Sequence, residues 1–259
     1  MKLISWNVNS VRTRIEHIKR LVENVNPDVI CLQETKVENS SFPLKPFEQM
    51  GFRFFAINGM KSHNGVCIIS KLQIKNEEKY SFCKKQDSRH ISATINGIEV
   101  HNLYVPAGGD EPNVQSNPKF KHKIYFLDEL VEVYKNRKKN LLLCGDFNVA
   151  PLEDDVWSHK QLIHTVSHTE VERKKLLNFM NLGSWTDIVR EKINPPSNIF
   201  TWWSYRSPDY TKNNKGRRLD HILCSKNLTK RIFTVKIHEQ TRAWSRPSDH
   251  VPIEIIIET

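Results

Sequence analysis

Short runs of β-type residues, several of them closing on a polar side chain, constrain this chain more than any other feature. They fall at residues 2–6, 29–33, 52–57, 66–70, 91–95, 99–104, 141–145, 219–224, 232–238 and 252–257. Runs such as VICLQ, VCIIS and LLLCG are almost continuously apolar, the pattern of strands covered on both faces. Helical periodicity separates them. Val11, Ile15, Ile18 and Val22 recur at three and four residues within 10–24, with Ser10 expected as the N-cap and Pro27 just past the end. Phe120, Ile124, Leu127, Val131 and Tyr134 form a second stripe over 118–135, and a third helix is expected over 170–182, stopping at Gly183. No fixed-period repeat and no composition break interrupts the 259 residues, so sheet and helix layered around one core are expected, as a single domain over 1–259.

The charge excludes some classes and favours others. Thirty-nine Lys and Arg against 29 Asp and Glu give a net charge of +10, which suits a polyanionic partner as well as an ordinary solvated surface. No apolar stretch approaches the length of a membrane span, and the N-terminus turns polar at Ser5, too early for a signal-peptide core. The five cysteines are odd in number, form no C-x-x-C pair and sit mostly in apolar runs, so buried free thiols are expected. These features together predict a soluble, intracellular (cytoplasmic) protein without a membrane partner.

The chemistry is written where the apolar runs stop. One run ends at Asn7, another at Gln33 followed by Glu34, another at Tyr104, and LLLCG runs into Asp146, Phe147 and Asn148. Near the C-terminus, RRL precedes Asp220, and PS precedes Asp249 and His250. Each alone reads as a turn or cap residue. Six such features at strand boundaries point instead to a shared site, because ligands in α/β proteins gather at strand ends. Glu34, Asn7 and Asp249 offer only oxygen ligands, which suit a hard divalent cation, Mg²⁺ foremost. Asp146 with Asn148 would orient and deprotonate a water, and Asp220 would hold His250 in one tautomer facing an oxyanion. This set describes a phosphoester hydrolase.

The segments SWNVNSVRTR (5–14), PDVICLQETK (27–36), NGVCIIS (64–70), NLYVPAGGD (102–110), LLLCGDFNVAP (141–151), FTWWSYR (200–206), GRRLDHIL (216–223) and PSDHVPI (247–253) span nearly the whole chain. In this order they resemble the exonuclease III family of AP endonucleases, within the DNase I-like metal-dependent phosphohydrolases. The resemblance implies a four-layer α/β sandwich, two mixed β-sheets packed face to face with helices outside. It implies Glu34 as the principal Mg²⁺ ligand (Mn²⁺ as a substitute), with Asn7 beside it and Asp249 near or on the metal. It further implies Asp146 activating the attacking water, Asn148 positioning water and phosphate, Tyr104 on the scissile phosphate, and His250, oriented by Asp220, stabilising the phosphorane. Trp202 and Leu219 would line the pocket for a base-less sugar. The activity implied is Mg²⁺-dependent cleavage 5′ to abasic sites in double-stranded DNA, leaving a 3′-hydroxyl, with 3′–5′ exonuclease and 3′-end-cleaning activity, by a monomer with no obligate protein partner. A predominantly 3′-acting enzyme, a non-DNA phosphoesterase and a non-catalytic binding module are the alternatives.

Two positions depart from that pattern. Ala107 follows YVP where an amide side chain is usual, and Arg217 stands where an aromatic or apolar residue often lines the sugar pocket. Lys36, Arg89, Arg206, Lys215, Arg217 and Arg218 are the candidate phosphate contacts, with recognition through backbone phosphates and an easily extruded base-less nucleotide. The segment 204–218, basic and aromatic, is expected as a loop suited to gripping a strand. By alternation, one face of TWWSY belongs to the core.

Overall fold

The computed structural model describes residues 1–136, 140–206 and 209–259. Residues 207 and 208, within the loop expected over 204–218, lie outside them. Among the described residues fourteen strands form in chain order: β1 (Lys2–Asn7), β2 (Val29–Gln33), β3 (Phe54–Asn58), β4 (Val66–Ser70), β5 (Lys75–Glu78), β6 (His90–Ile95), β7 (Ile98–Tyr104), β8 (Leu141–Asp146), β9 (Trp185–Asp187), β10 (Trp202–Trp203), β11 (Gly216–Arg217), β12 (Asp220–Ser225), β13 (Ile232–Ile237) and β14 (Ile253–Ile257). One six-stranded sheet has the order β13-β14-β1-β2-β4-β3 and the other β5-β6-β7-β8-β12-β9, while β10 and β11 form a separate ribbon. Each large sheet holds one parallel pair, β1 with β2 and β7 with β8, among antiparallel neighbours, so both are mixed.

Alternation along each strand builds the layers. Leu3, Val29, Cys31 and Ile68 of the first sheet meet Ile91, Val100, Leu142, Cys144 and Ile222 of the second in the central core. Their neighbours Ile4, Ile30 and Leu32 face outward onto α1 (Ile15–Val25) and α2 (Leu44–Gln49), through Ile18, Leu21, Val22 and Phe47. On the other side Leu141 and Leu143 pack on α3 (Pro118–Tyr134) and on a helix over Glu170–Leu182, through Phe126, Leu127, Leu176 and Phe179. Helix, sheet, sheet and helix make four layers, the sandwich that the motifs imply. All five cysteines are free, and four are buried.

The first helix differs from expectation at its start. Ser10 takes φ +92° and caps nothing; residues 11–14 form turns, Arg14 precedes the helix, and Asn26 ends it in the left-handed region. The backbone N–H groups of Ser10 and Val11 donate to Glu34 and Thr35 carbonyls, which ties the chain after β1 to the chain after β2 and defers the helix. Asn117 caps α3 by accepting from Lys119 and Phe120 N–H groups, and Thr169 with Glu172 forms a capping box on the 170–182 helix.

Gly145 is fixed by the approach of β7. Its φ is +137°, and a Cβ there would lie 2.0 Å from the Leu103 carbonyl oxygen. Replacing Gly145 by Ala is expected to part β7 from β8 beside Asp146 and to cost about 3 kcal/mol or more. Equilibrium urea unfolding measures this, and an unchanged midpoint would contradict it.

Candidate active site

The parallel pairs carry the site to one end of the sandwich. Asn7 closes β1 opposite Gln33, and Tyr104 closes β7 opposite Asp146 at the end of β8. The antiparallel β12 brings its first residue, Asp220, into register with Asp146. Ser248 and Trp6 draw in the segment before β14: the Ser248 hydroxyl donates to the Asn7 carbonyl at 2.7 Å, and the Trp6 indole donates to the His250 carbonyl at 3.0 Å. Residues far apart in sequence therefore converge because their strands end on the same edge.

Asp146 is the centre of the hydrogen bonding. Its Oδ2 accepts from Asn7 Nδ2 at 2.9 Å and Asn148 Nδ2 at 3.1 Å, and its Oδ1 accepts from the Asn148 backbone N–H at 2.8 Å. Asn148 takes φ +53°, the left-handed turn that folds its amide back onto Asp146. Asn7 Nδ2 also donates to Glu34 Oε1 at 2.9 Å, so one amide bridges two carboxylates. His250 Nε2 stands 3.6 Å from Asp146 Oδ2, and its Nδ1 meets Asp220 Oδ2 at 2.8 Å. The Asp220 backbone is held by Thr201, whose hydroxyl accepts from the N–H groups of Leu219 and Asp220.

These contacts set the protonation states. Burial raises the Asp146 carboxyl to about 7, with Asp220 and Glu34 adding to the rise while His250 and Asn7 oppose it. Burial alone would lower His250, but the carboxylates of Asp220 and Asp146 outweigh it and push the imidazole up to about 10. Tyr104 is pushed well above the ordinary phenol range by burial and by the Glu34 and Asp146 charges, so its hydroxyl keeps its proton. The site thus presents a carboxylate able to take a proton beside several N–H and O–H donors.

Glu34, Tyr104, Asp146, Asn148, Trp202, Leu219, Asp249 and His250 line one cleft of about 610 Å³. Arg206, Lys215 and Arg217 line it too, and Lys36 pairs with Glu34 at 2.8 Å. Thr201 and Trp203 are buried and Trp202 between them lines the cleft, as the alternation requires, while Tyr205, past the end of β10, is exposed. Two expected phosphate contacts are committed elsewhere. Arg218 is fully buried, with its guanidinium on Asp155 and Asp187. Arg89 pairs with Asp87 at 2.6 Å, stacks 4.8 Å from the Tyr104 ring and donates to the Tyr104 carbonyl. Arg89 therefore steadies Tyr104 from behind.

The chain matches the model of the Endonuclease/Exonuclease/phosphatase family over residues 4–250. It belongs to that family. Exodeoxyribonuclease III of Haemophilus influenzae is 33% identical over 98% of each chain. A DNA-(apurinic or apyrimidinic site) endonuclease of Dictyostelium discoideum is 30% identical over all of this chain and 71% of its own length. Among solved structures, an AP endonuclease from Archaeoglobus fulgidus superposes over the full length of both chains with TM-score 0.92 at 31% identity. A 3′ phosphatase from Neisseria, bound to a product DNA hairpin, superposes equally fully with TM-score 0.91 at 31% identity.

This member of the family also uses residues that strand-end reading passes over. Asn9, at φ +45°, donates through Nδ2 to Asp249 Oδ1 at 3.1 Å and accepts from Lys36 Nζ at 2.5 Å. The only signal for it is a second Asn two positions after Asn7. Lys123, fully buried, pairs with Glu172 and donates to the carbonyls of Asn148 and Ala107, at 2.6 and 3.2 Å. It sits in an amphipathic helix among many surface lysines, and nothing in the sequence separates it from them.

Asp220 touches His250 directly, and its charge also bears on Asp146. Replacing Asp220 by Asn keeps the volume and removes the charge that holds the imidazolium. Turnover is expected to fall about 100-fold while affinity for DNA is retained. Single-turnover kinetics beside a binding titration checks this, and undiminished turnover would contradict it.

Proposed function

We propose that this chain is a metal-dependent DNA repair phosphodiesterase that cuts 5′ to abasic sites, leaves a 3′-hydroxyl and also trims 3′ ends. The observation that carries the reading is the convergence of Asn7, Asn148 and His250 on the Oδ2 of Asp146, at the floor of a cleft lined by Arg206, Lys215 and Arg217. A non-catalytic binding module needs none of that floor.

In this reading Asp146 takes the proton of the attacking water, and Asn148 fixes both the carboxylate and the water. Tyr104 and the protonated His250 donate to the phosphate oxygens as charge builds there, while the Asn148 amide, donating to Val105 and Asp146, leaves its oxygen to accept from the water. Trp202 and Leu219 flank the base-less sugar. An abasic nucleotide reaches such a cleft at low cost, because no base must be unpaired.

The residues fit a hard divalent cation. Asp146 and Asp220 are buried with the part-buried Glu34 close by, and burial first, then the charges of Asp220 and Glu34, raises the Asp146 carboxyl. Ligand atoms of Asp146, Asp220 and His250 lie within 4.8 Å of one another, but Asp220 and His250 are engaged with each other. Glu34 is the better seat. Asn7 turns its oxygen to the Asn9 N–H at 3.0 Å and holds the Glu34 carboxylate with its amide, while Asp249 is held by Asn9 and Trp202. Mg²⁺ at Glu34, with Asn7 and Asp249 beside it, would neutralise charge on the phosphate.

The reading extends to a single catalytic domain over 1–259, acting as a monomer on double-stranded DNA. The free, buried thiols suit the reducing cytoplasm. The test compares a labelled duplex carrying one tetrahydrofuran residue with the same duplex bearing a recessed intact 3′ end, in Mg²⁺ and in chelator. Magnesium-dependent incision at the tetrahydrofuran is expected; cleavage of neither duplex would overturn the reading.

A further inference from the structure

The cleft has two unlike walls. Tyr104, Asp146, Asn148 and His250 form the reacting wall, and Trp157, Leu162, Trp202 and Leu219 form an apolar one. Arg217 stands within the apolar wall. Backbone pairing fixes it there: Arg217 is opposite Trp202 in the β10–β11 ribbon, and Trp202 in turn bridges to His250. Its guanidinium lies 5.2 Å over the Trp202 ring, and its Nη1 donates to the Val166 carbonyl at 3.1 Å and the Ser167 hydroxyl at 2.8 Å. Both acceptors are neutral.

The rest of the guanidinium is unanswered. Its Nε is buried without a partner, and among the described residues no carboxylate lies within ion-pair distance. Burial lowers its pKa, with only Glu172 opposing, as expected of a cation whose charge is not locally compensated. Lys36, Arg89 and Arg218, by contrast, each hold a carboxylate. A desolvated, pre-positioned fork of N–H donors is the geometry that binds a phosphate strongly. The reacting phosphate already has its donors on the opposite wall. The anion for Arg217 is therefore a second charge on the same ligand.

We propose that Arg217 is a specificity-determining residue that holds the phosphate on the 3′ side of the nucleotide occupying the cleft. The proposal rests on the function argued above. An internal nucleotide carries a phosphate on both sides, and a 3′-terminal nucleotide carries one on its 5′ side only. Arg217 thus favours incision within a strand over removal of a terminal nucleotide. The stacked Trp202 ring holds the fork in place, so little ordering is needed on binding.

The test uses the full chain and three duplexes. One has an internal tetrahydrofuran, one ends in a 3′-terminal tetrahydrofuran with a hydroxyl, and one ends in the same residue with a 3′-phosphate. Affinities are measured by fluorescence anisotropy in chelator, and incision 5′ to the tetrahydrofuran is measured in Mg²⁺. The wild-type chain is expected to bind the phosphate-ended duplex about tenfold more tightly than the hydroxyl-ended one. Arg217→Met, which fills the apolar wall, is expected to abolish that ratio, and Arg217→Lys to keep part of it. An unchanged ratio in Arg217→Met, or equal weakening toward all three duplexes, overturns the proposal. If the wild-type chain incises none of the three, the underlying function fails and the proposal with it. Incision without a phosphate preference overturns the proposal alone.

Discussion

Asp146→Asn is expected to lower turnover on an abasic duplex by about 10³- to 10⁴-fold while leaving DNA affinity within a fewfold of the wild-type value. The side chain keeps its shape but loses the ability to take a proton. Asn7 Nδ2, Asn148 Nδ2 and the Asn148 N–H all donate to this carboxylate, so an amide in its place must leave one of those donors without an acceptor. The resulting disturbance is local, and the cationic rim is untouched. Single-turnover rates and anisotropy on the same preparation separate the two effects. Full turnover in the variant would remove Asp146 from the proton-transfer role, and a parallel loss of affinity would make it a binding residue.

The second large effect is on stability. Arg218→Met is expected to cost about 3–5 kcal/mol, because it leaves the buried carboxylates of Asp155 and Asp187 without their principal cation. Arg218 binds Asp155 through Nε and Nη2 and Asp187 through Nη1, and Nη1 also meets His221 Nδ1 at 3.0 Å. Arg190 remains on Asp155, which limits the loss there. For a chain of this size the melting temperature should fall by about 10 °C. The loss depends on pH in a defined sense. Although burial alone would raise both carboxyls, Arg218 holds Asp155 and Asp187 below the ordinary carboxylate range. Depressed folded-state values stabilise above the unfolded value of about 3.9 and lose that contribution as pH falls through the folded ones. The gap between wild type and Arg218→Met should be full at pH 7 and narrow toward acid, first as the variant's uncompensated carboxyls take up protons and then, below about pH 4, as the wild type loses its own contribution. Melting curves across that range measure it, and a gap widening toward acid would contradict the assignment.

Arg218 also shows where reading a sequence reaches its limit. Next to Arg217 in a basic segment, it carries the same signal as a DNA contact. What separates the two is the β-ribbon, which sends one side chain into the cleft and the next into the core. A two-residue strand has too little periodicity to announce this. The ten runs each match a strand to within two residues at either end, and most were legible because burial on both faces imposes composition, as in β2, β4, β8 and β12. β5, with the sequence KNEE, is fully exposed and lies at a sheet edge, so nothing selects apolar residues there. The short helix over Ile188–Lys192 is too brief to display a stripe and is fixed instead by Asp187, which accepts from the Val189 and Arg190 N–H groups.

The site was more legible than the periphery for a related reason. Asn7, Glu34, Tyr104 and Asp146 stand where apolar strands stop, and Asp220 and His250 stand at or before the start of others; the parallel pairs β1–β2 and β7–β8 and the antiparallel pair β8–β12 bring these ends together. Asn9 and Lys123 belong to the same machinery, yet they are recognised only by distances. Burial of Lys123 against Glu172 comes from the packing of α3 under the loops that carry Ala107 and Asn148.

The measurement that tests the central claim most directly is the fate of the oxygen supplied by water. An abasic duplex is incised in ¹⁸O-labelled water with Mg²⁺, and both fragments are weighed by mass spectrometry. Attack by a water held at Asp146 predicts one ¹⁸O in the 5′-phosphate of the fragment carrying the abasic residue, and an unlabelled 3′-hydroxyl on the other. A 3′-phosphate, an unsaturated sugar end or an unlabelled 5′-phosphate would contradict it.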